Sequence, residues 1–242
     1  MILEFIQSIL SDAPTWAREQ GLLKESLAIH SRYLRHKEPW TAHLSHCQSE
    51  IETFLNQYPG KKKLGILGSG YLLDFPSKIL NDSSYELFLF DAVHPRALKT
   101  KTTKAKLNFI YVDLNLAPEI LNFDFQQELA SCELMLSTNL LSQLALGGSR
   151  HLENDENQRI PLARQLVSQH LKFLRSTKKP SILISDFEKI IKSKQGSILV
   201  QESSLANFQM PIPAHQWLWP LAPLGEISKD YSIELKVGTW HF

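Results

Sequence analysis

The 242-residue chain holds only two cysteines, Cys47 and Cys132, and neither stands in a Cys-x-x-Cys pair or a Cys/His cluster with zinc spacing. Neither a disulfide framework nor a structural zinc site is therefore expected, and no metal is expected. Long apolar runs are missing too, for none approaches the ~20 residues that cross a bilayer. The first ten residues are broken by Glu4, Gln7 and Ser8, which is not the basic-then-apolar order of a signal peptide. Neither sign of charge is in excess: 26 Lys and Arg against 25 Asp and Glu leave a formal net charge of +1, too little for a global field toward nucleic acid or an anionic membrane. These absences predict a cytoplasmic chain with no membrane partner and no clear nucleic-acid partner. No internal repeat or low-complexity tract is visible.

What is present is the composition of a globular protein, 43% hydrophobic and 21% charged. The length suits one generous domain, or a core with an appendage, and excludes two large domains. Residues 1 to about 60 contain just Gly21 and Gly60 and have helical apolar spacing. One face is predicted from Ile2, Phe5, Ile6 and Ile9, a second from Leu22, Leu23, Leu27 and Tyr33, and a third from Trp40, Leu44, Cys47, Ile51, Phe54 and Leu55. Pro14, Pro39 and Pro59 punctuate them, so residues 1–62 are expected to form a three-helix extension.

From Lys63 the pattern changes to short apolar runs separated by helix-length stretches, the mark of a parallel sheet with crossover helices. The runs are Leu64 to Leu67, Leu87 to Phe90, Phe109 to Val112, Leu134 to Leu136 and Ile182 to Ile184. Asp74 with Pro76, and Pro118 with Glu119, read as starts of crossover helices. Ile160, Ala163, Val167, Leu171 and Leu174 predict a long amphipathic helix over about 156–176. After Asp186 the alternation fades, leaving two extended segments, 216–221 and 231–242. In the second, Tyr231, Ile233, Leu235, Val237 and Thr239 alternate with polar or small residues, which predicts a strand with one buried face. A short link with Pro223 and Gly225 makes the two a hairpin.

The strongest local signal is the turn Gly68-Ser69-Gly70 directly after the first strand. Glycines there tolerate a sharp strand-to-helix turn and let backbone approach a ligand closely. Asp91 closes the second strand 21 residues beyond Gly70, where a carboxylate accepts from ribose hydroxyls. Asp113 follows the third strand at the same sheet edge; its carboxylate suits an adenine amino group while the backbone of Leu114 addresses the ring. The three converge on one crevice fit for an adenosine-containing ligand.

On these residues the chain resembles the class I, Rossmann-like S-adenosylmethionine-dependent methyltransferases. The resemblance covers about residues 40–242 and includes the fourth strand, Leu134 to Asn139, and the terminal hairpin. It implies an α/β fold, a mostly parallel sheet ending in an antiparallel hairpin over residues 63–242, with 231–242 inserted in the sheet as an antiparallel strand. It further implies S-adenosylmethionine as cofactor: Gly68, Ser69 and Gly70 would border its methionine part, and Ser137, Thr138 and Asn139 would lie near the transferred methyl. Ile66 stands where the family usually has an acid, Leu72 replaces the usual third turn glycine, and Asn139 is followed by Leu140 and Leu141 rather than by Pro-Pro-aromatic.

The expected function is thus methyl transfer to an unidentified small-molecule or protein acceptor, with no catalytic residue singled out. Two alternatives remain open. One is a degenerate methyltransferase fold kept as a binding or scaffold subunit; the other is an NAD(P)-dependent oxidoreductase, since Gly68-x-Gly70 and Asp91 also fit that fingerprint although Leu73 occupies its third glycine position. Trp40 and His43, on the helix before the first strand, are substrate-side candidates if that helix crosses the mouth of the site. His43 and Cys47, four apart, share a helix face, and ordinary packing is the preferred reading over a metal pair. His170 is read as a core histidine and Trp217 and Trp219 as packing against a helix. Lys99, Lys101, Lys104 and Lys106 form a basic flank, whereas residues 107–156 hold eight acids and one base, Arg150. The flank reads as a solvated helix end.

Overall fold

The structure, a computed structural model, describes residues 13–115, 123–147 and 155–242. The expected helix face of Ile2 to Ile9 and the helix start at Pro118 and Glu119 lie outside the described residues. Among the described residues, three helices precede the sheet: α1 (Thr15–Glu19), α2 (Leu22–Arg35) and α3 (Lys37–Asn56). Then follow β1 (Lys63–Leu67), α4 (Ser77–Leu80), β2 (Glu86–Asp91), α5 (Arg96–Lys99), β3 (Lys106–Tyr111), α6 (Phe123–Ser131), β4 (Leu134–Thr138), α7 (Leu141–Gly147) and α8 (Glu156–Ser176). The chain ends with β5 (Ser181–Ser193), β6 (Ile198–Ser203), β7 (His215–Ala222) and β8 (Tyr231–His241).

The strands form one sheet in the order β3-β2-β1-β4-β5-β8-β7, with β6 paired to the far half of β5. Every neighbour from β3 to β5 is parallel, and β8 runs antiparallel between β5 and β7. The molecule is α/β, broadly Rossmann-like, with its antiparallel part at one edge. The continuous apolar runs of β1, β2 and β4 are explained by burial on both faces. On one face Ile51, Phe54 and Leu55 of α3 share a cluster with Leu64, Ile66, Leu87, Leu136, Ile184 and Val237. On the other, Val167, Leu171 and Leu174 of α8 pack with Met135, Leu183, Phe90 and Trp240. Helix α8 begins where Asp155 caps it, its side chain accepting from the Gln158 amide.

Two features differ from the sequence expectation. Strand β5 runs on to Ser193 and turns back into β6, because Phe187 to Ser193 and Ile198 to Ser203 pair as a hairpin around Gly196, whose φ is +86°. Strand β8 is not buried on one face alone: its last residues lie between β5 and β7, and Trp240 and Val237 enter opposite clusters.

Candidate functional site

Strand order brings the carboxyl ends of β3, β2, β1 and β4 side by side, so the segments that follow them form one edge. A cleft of about 1170 Å³, open mouth included, runs along this edge under α2 and α3. Of the sequence-derived candidates, Gly68, Ser69, Gly70, Asp91, Asp113, Leu114, Thr138, Asn139, Trp40 and His43 all line it. Ser137 does not. It neighbours Thr138 on β4 and so points to the opposite face, where its hydroxyl lies 2.9 Å from His170 Nε2 in the core. Burial lowers the pKa of His170 to about 4, so the ring is neutral.

The glycine turn is held by its geometry. Gly68 has φ +70° and Gly70 φ +47°, both in the left-handed region. A Cβ on Gly68 would meet Leu140 at 3.0 Å, whereas one on Gly70 would meet nothing within 4 Å. Leu72, at the position of the missing third glycine, takes φ +51° with its side chain buried. The Gly70 amide donates to Asp91 Oδ2 at 2.7 Å and the Val93 amide to Asp91 Oδ1 at 3.2 Å. Burial raises the Asp91 pKa above the ordinary carboxylate value, partly offset by these backbone donors. The Ala92 amide is a third backbone donor to this carboxylate, which leaves about one of its roughly four acceptor sites for a further hydrogen. Asp113, nearly buried, accepts from Asn115 at Oδ1 and, at 3.1 Å, from Gln20 Nε2 at Oδ2. Gln20 carries no recognisable sequence signal, and it ties the N-terminal helices to the β3 corner.

At the β4 side lies a carboxylate that sequence reading assigned to a helix start. Asp74 makes no cap, for α4 begins after Pro76 with no side-chain cap. Instead it accepts from Asn139 Nδ2 at 2.9 Å and from the Thr138 hydroxyl, and burial raises its pKa. Asn139 sits at φ +51° and its Oδ1 is buried without a partner. The signal that could have found Asp74 is its place four residues beyond Gly70, on a segment that must return along the cleft.

Helices α2 and α3 roof the cleft. His30 stacks on Tyr71 of the glycine turn, centroids 3.8 Å apart and planes 4° from parallel. His43 stacks on Trp219 at 4.0 Å, and Trp219 meets Trp40 edge-on at 4.8 Å. Trp217 Nε1 donates to His43 Nδ1 at 3.0 Å, so Nδ1 is the acceptor nitrogen. Burial, with His46 adding to it, lowers the His43 pKa to about 3; the ring is neutral and is not a base at neutral pH. Both tryptophans of β7 thus pack against α3. Cys47 Sγ lies 3.7 Å from His43 Nε2, but no group of three or more candidate metal ligands is found among the described residues.

Among the described residues the lining contains four carboxylates, Glu25, Asp74, Asp91 and Asp113, and no lysine or arginine. Lining residues with buried polar atoms that have no partner among the described residues include Ser69 (Oγ), Asn115 (Oδ1), Asn139 (Oδ1) and Trp219 (Nε1). Such atoms cost free energy unless a ligand or water completes them. No helix among the described residues is long and apolar enough to cross a membrane. A scan of family models and a search of curated proteins both return no match to this chain.

Proposed function

We propose that the cleft binds S-adenosylmethionine and that the protein is a methyltransferase of the Rossmann-like type. The observation that carries the reading is the cleft's charge: four carboxylates and no lysine or arginine among its described lining, over a glycine turn at the carboxyl edge of the sheet. A sulfonium or ammonium cation is stabilised there, whereas the two phosphates of a nicotinamide dinucleotide would find no cationic side chain in the described lining to offset these carboxylates. In this reading Asp91 takes the ribose hydroxyls, Asp113 and the backbone of Leu114 hold the adenine, and Ser69 Oγ and the open side of Gly70 face the methionine part. Insertion of antiparallel β8 between β5 and β7 supports the same reading. The open cleft argues against a degenerate scaffold, since Tyr71 is drawn aside onto His30 instead of filling it.

When bound, the cofactor would supply an electrophilic methyl group. The chain's own contribution is to bind, orient and exclude water under the α2–α3 roof. Calorimetry is expected to give micromolar binding of S-adenosylmethionine and S-adenosylhomocysteine. Asp91→Ala is expected to weaken it about tenfold or more, the worth of a charge-assisted hydrogen bond. A fluorescence titration with reduced nicotinamide cofactor is expected to be flat. No binding at about millimolar ligand would sink the proposal.

A further inference from the structure

Along the edge the order β3, β2, β1, β4 fixes which part of a ligand lies where. With the adenosine at Asp113 and Asp91 and the rest along the turn after β1, the β4 end is left for the second substrate. Asp74 and Asn139 stand there, with the Thr138 hydroxyl bonded to the same carboxylate. Asn139 has turned its Nδ2 to Asp74, which leaves its buried Oδ1 as a second acceptor without a partner. Cys47 links this pair to the wall of His43, Trp219 and Trp40, since it bonds to Asn139 and touches the His43 ring. His43 brings no charge, and its Nδ1 is taken by Trp217.

A carboxylate and an unmatched amide oxygen beside aromatic faces are completed by a group with two or more N–H bonds and a positive charge. An alcohol or phenol brings one hydrogen, and a carboxylate brings none and adds like charge. The one unmatched donor on the wall, Trp219 Nε1, leaves room for a single acceptor on an otherwise apolar body.

We propose that the β4 end of the cleft binds a primary or secondary amine on an apolar body, held by Asp74 and Asn139 Oδ1, as the methyl acceptor. The inference rests on the reading of the cleft as an S-adenosylmethionine site. The bound ammonium gives one proton to the Asp74 carboxylate. The freed nitrogen lone pair forms the N–C bond to the methyl carbon as the C–S bond breaks, and that bond's electron pair passes to sulfur. Positive charge moves from sulfur to nitrogen, the by-product is the neutral thioether, and Asp74 returns its proton to water. The raised proton affinity that burial gives Asp74 suits this role.

The test uses the full chain saturated with S-adenosylhomocysteine and three probes of one shape: phenethylamine, 2-phenylethanol and phenylacetate. Calorimetry is expected to show binding of the amine, with the other two at least about tenfold weaker. Asp74→Asn is expected to lose about tenfold or more in amine affinity while S-adenosylhomocysteine binding changes by less than about threefold, and Asp74→Glu to recover part of the loss. With S-adenosylmethionine in its place, mass spectrometry is expected to detect the N-methylated amine. Equal binding of the alcohol or the carboxylate, unchanged amine affinity in Asp74→Asn, or no binding of the amine to the loaded chain would each overturn the inference. If Asp74→Asn does not fold, the three-probe comparison on the wild-type chain decides alone. Failure of the wild-type chain to bind S-adenosylhomocysteine overturns the cofactor reading instead, so the two failures are distinct.

Discussion

Gly68 and Gly70 look alike in sequence and differ in what surrounds them. Both have positive φ, so alanine at either carries left-handed strain of about 1–2 kcal/mol. Only at Gly68 would the new methyl also press on Leu140, including its Cβ at 3.0 Å, which no side-chain rotation can move away. Gly68→Ala is therefore expected to destabilise by about 2–4 kcal/mol and Gly70→Ala by about 1–2 kcal/mol, read from urea midpoints at constant slope. In the cleft the order reverses: the Gly70 methyl enters open space that a bound ligand would need, so Gly70→Ala is expected to weaken S-adenosylhomocysteine more than its small stability loss suggests. Equal stability losses for the two would remove the role given to Leu140. At this scale the turn and the acids are legible because each directly follows an apolar run that marks a strand, and parallel strands bring those ends to one edge. The sequence hid Asp74 and Gln20 because their roles arise from partners 65 and 93 residues away. Ser137 lies outside the cleft, contrary to expectation, because the two-residue period of a strand turns it away from Thr138, and a motif read along the chain ignores that alternation.

Between elements, the turn joining β7 and β8 latches onto the helical roof through one carboxylate. Glu226 meets Arg35 at 2.5 Å, His36 at 2.7 Å and Arg32 at 3.4 Å, its side chain 8% exposed. The bond to Arg35, helped by His36, lowers the Glu226 pKa from 4.5 to about 2. A carboxyl whose pKa is lower in the folded chain binds fewer protons there than when unfolded. Its stabilisation is thus complete above about pH 4.5 and is lost as the pH falls toward 2. Because Arg35 is half exposed and screened, the contribution is about 1–2 kcal/mol rather than the full value of the shift. Glu226→Gln is expected to lower stability by this amount at pH 7 and pH 5, with the gap to the wild type closing below about pH 4.5 in a urea series. A gap that persists unchanged to low pH would show that packing, not charge, holds the latch. Sequence patterns located the parallel strands by their continuous apolar runs, β8 by its two-residue alternation and α8 by its helical period. They missed β6 and the far half of β5, since in that hairpin five of six β6 residues are exposed and no buried face imposes an alternation.

For the molecule as a whole, α3 and β7, far apart in the sequence, meet over the cleft. Trp40, Cys47, Ile51 and Phe54 of α3 belong to the same buried cluster as the sheet residues Leu64, Leu136 and Val237, and Trp219 from near the carboxyl end stacks on His43. Helix α3 therefore supplies one layer of the core as well as part of the roof of the site, while Leu23 and Leu27 of α2 pack with Ala17 and Val93 in a smaller cluster. The near-neutral net charge gains a local meaning too, because the acids that balance the lysines include Asp91 and Asp113 at the cleft. If roof and sheet share a core, they unfold together. Tryptophan emission, which reports chiefly the seam of Trp40, Trp217 and Trp219, is expected to change at the same urea concentration as far-UV circular dichroism, which reports the sheet and helices. Saturating S-adenosylhomocysteine, at about one hundred times its dissociation constant, is expected to raise stability by about 2.7 kcal/mol and to move both curves equally. Were the roof an independent flap, the emission change would precede the dichroism change and the ligand would shift the first curve alone.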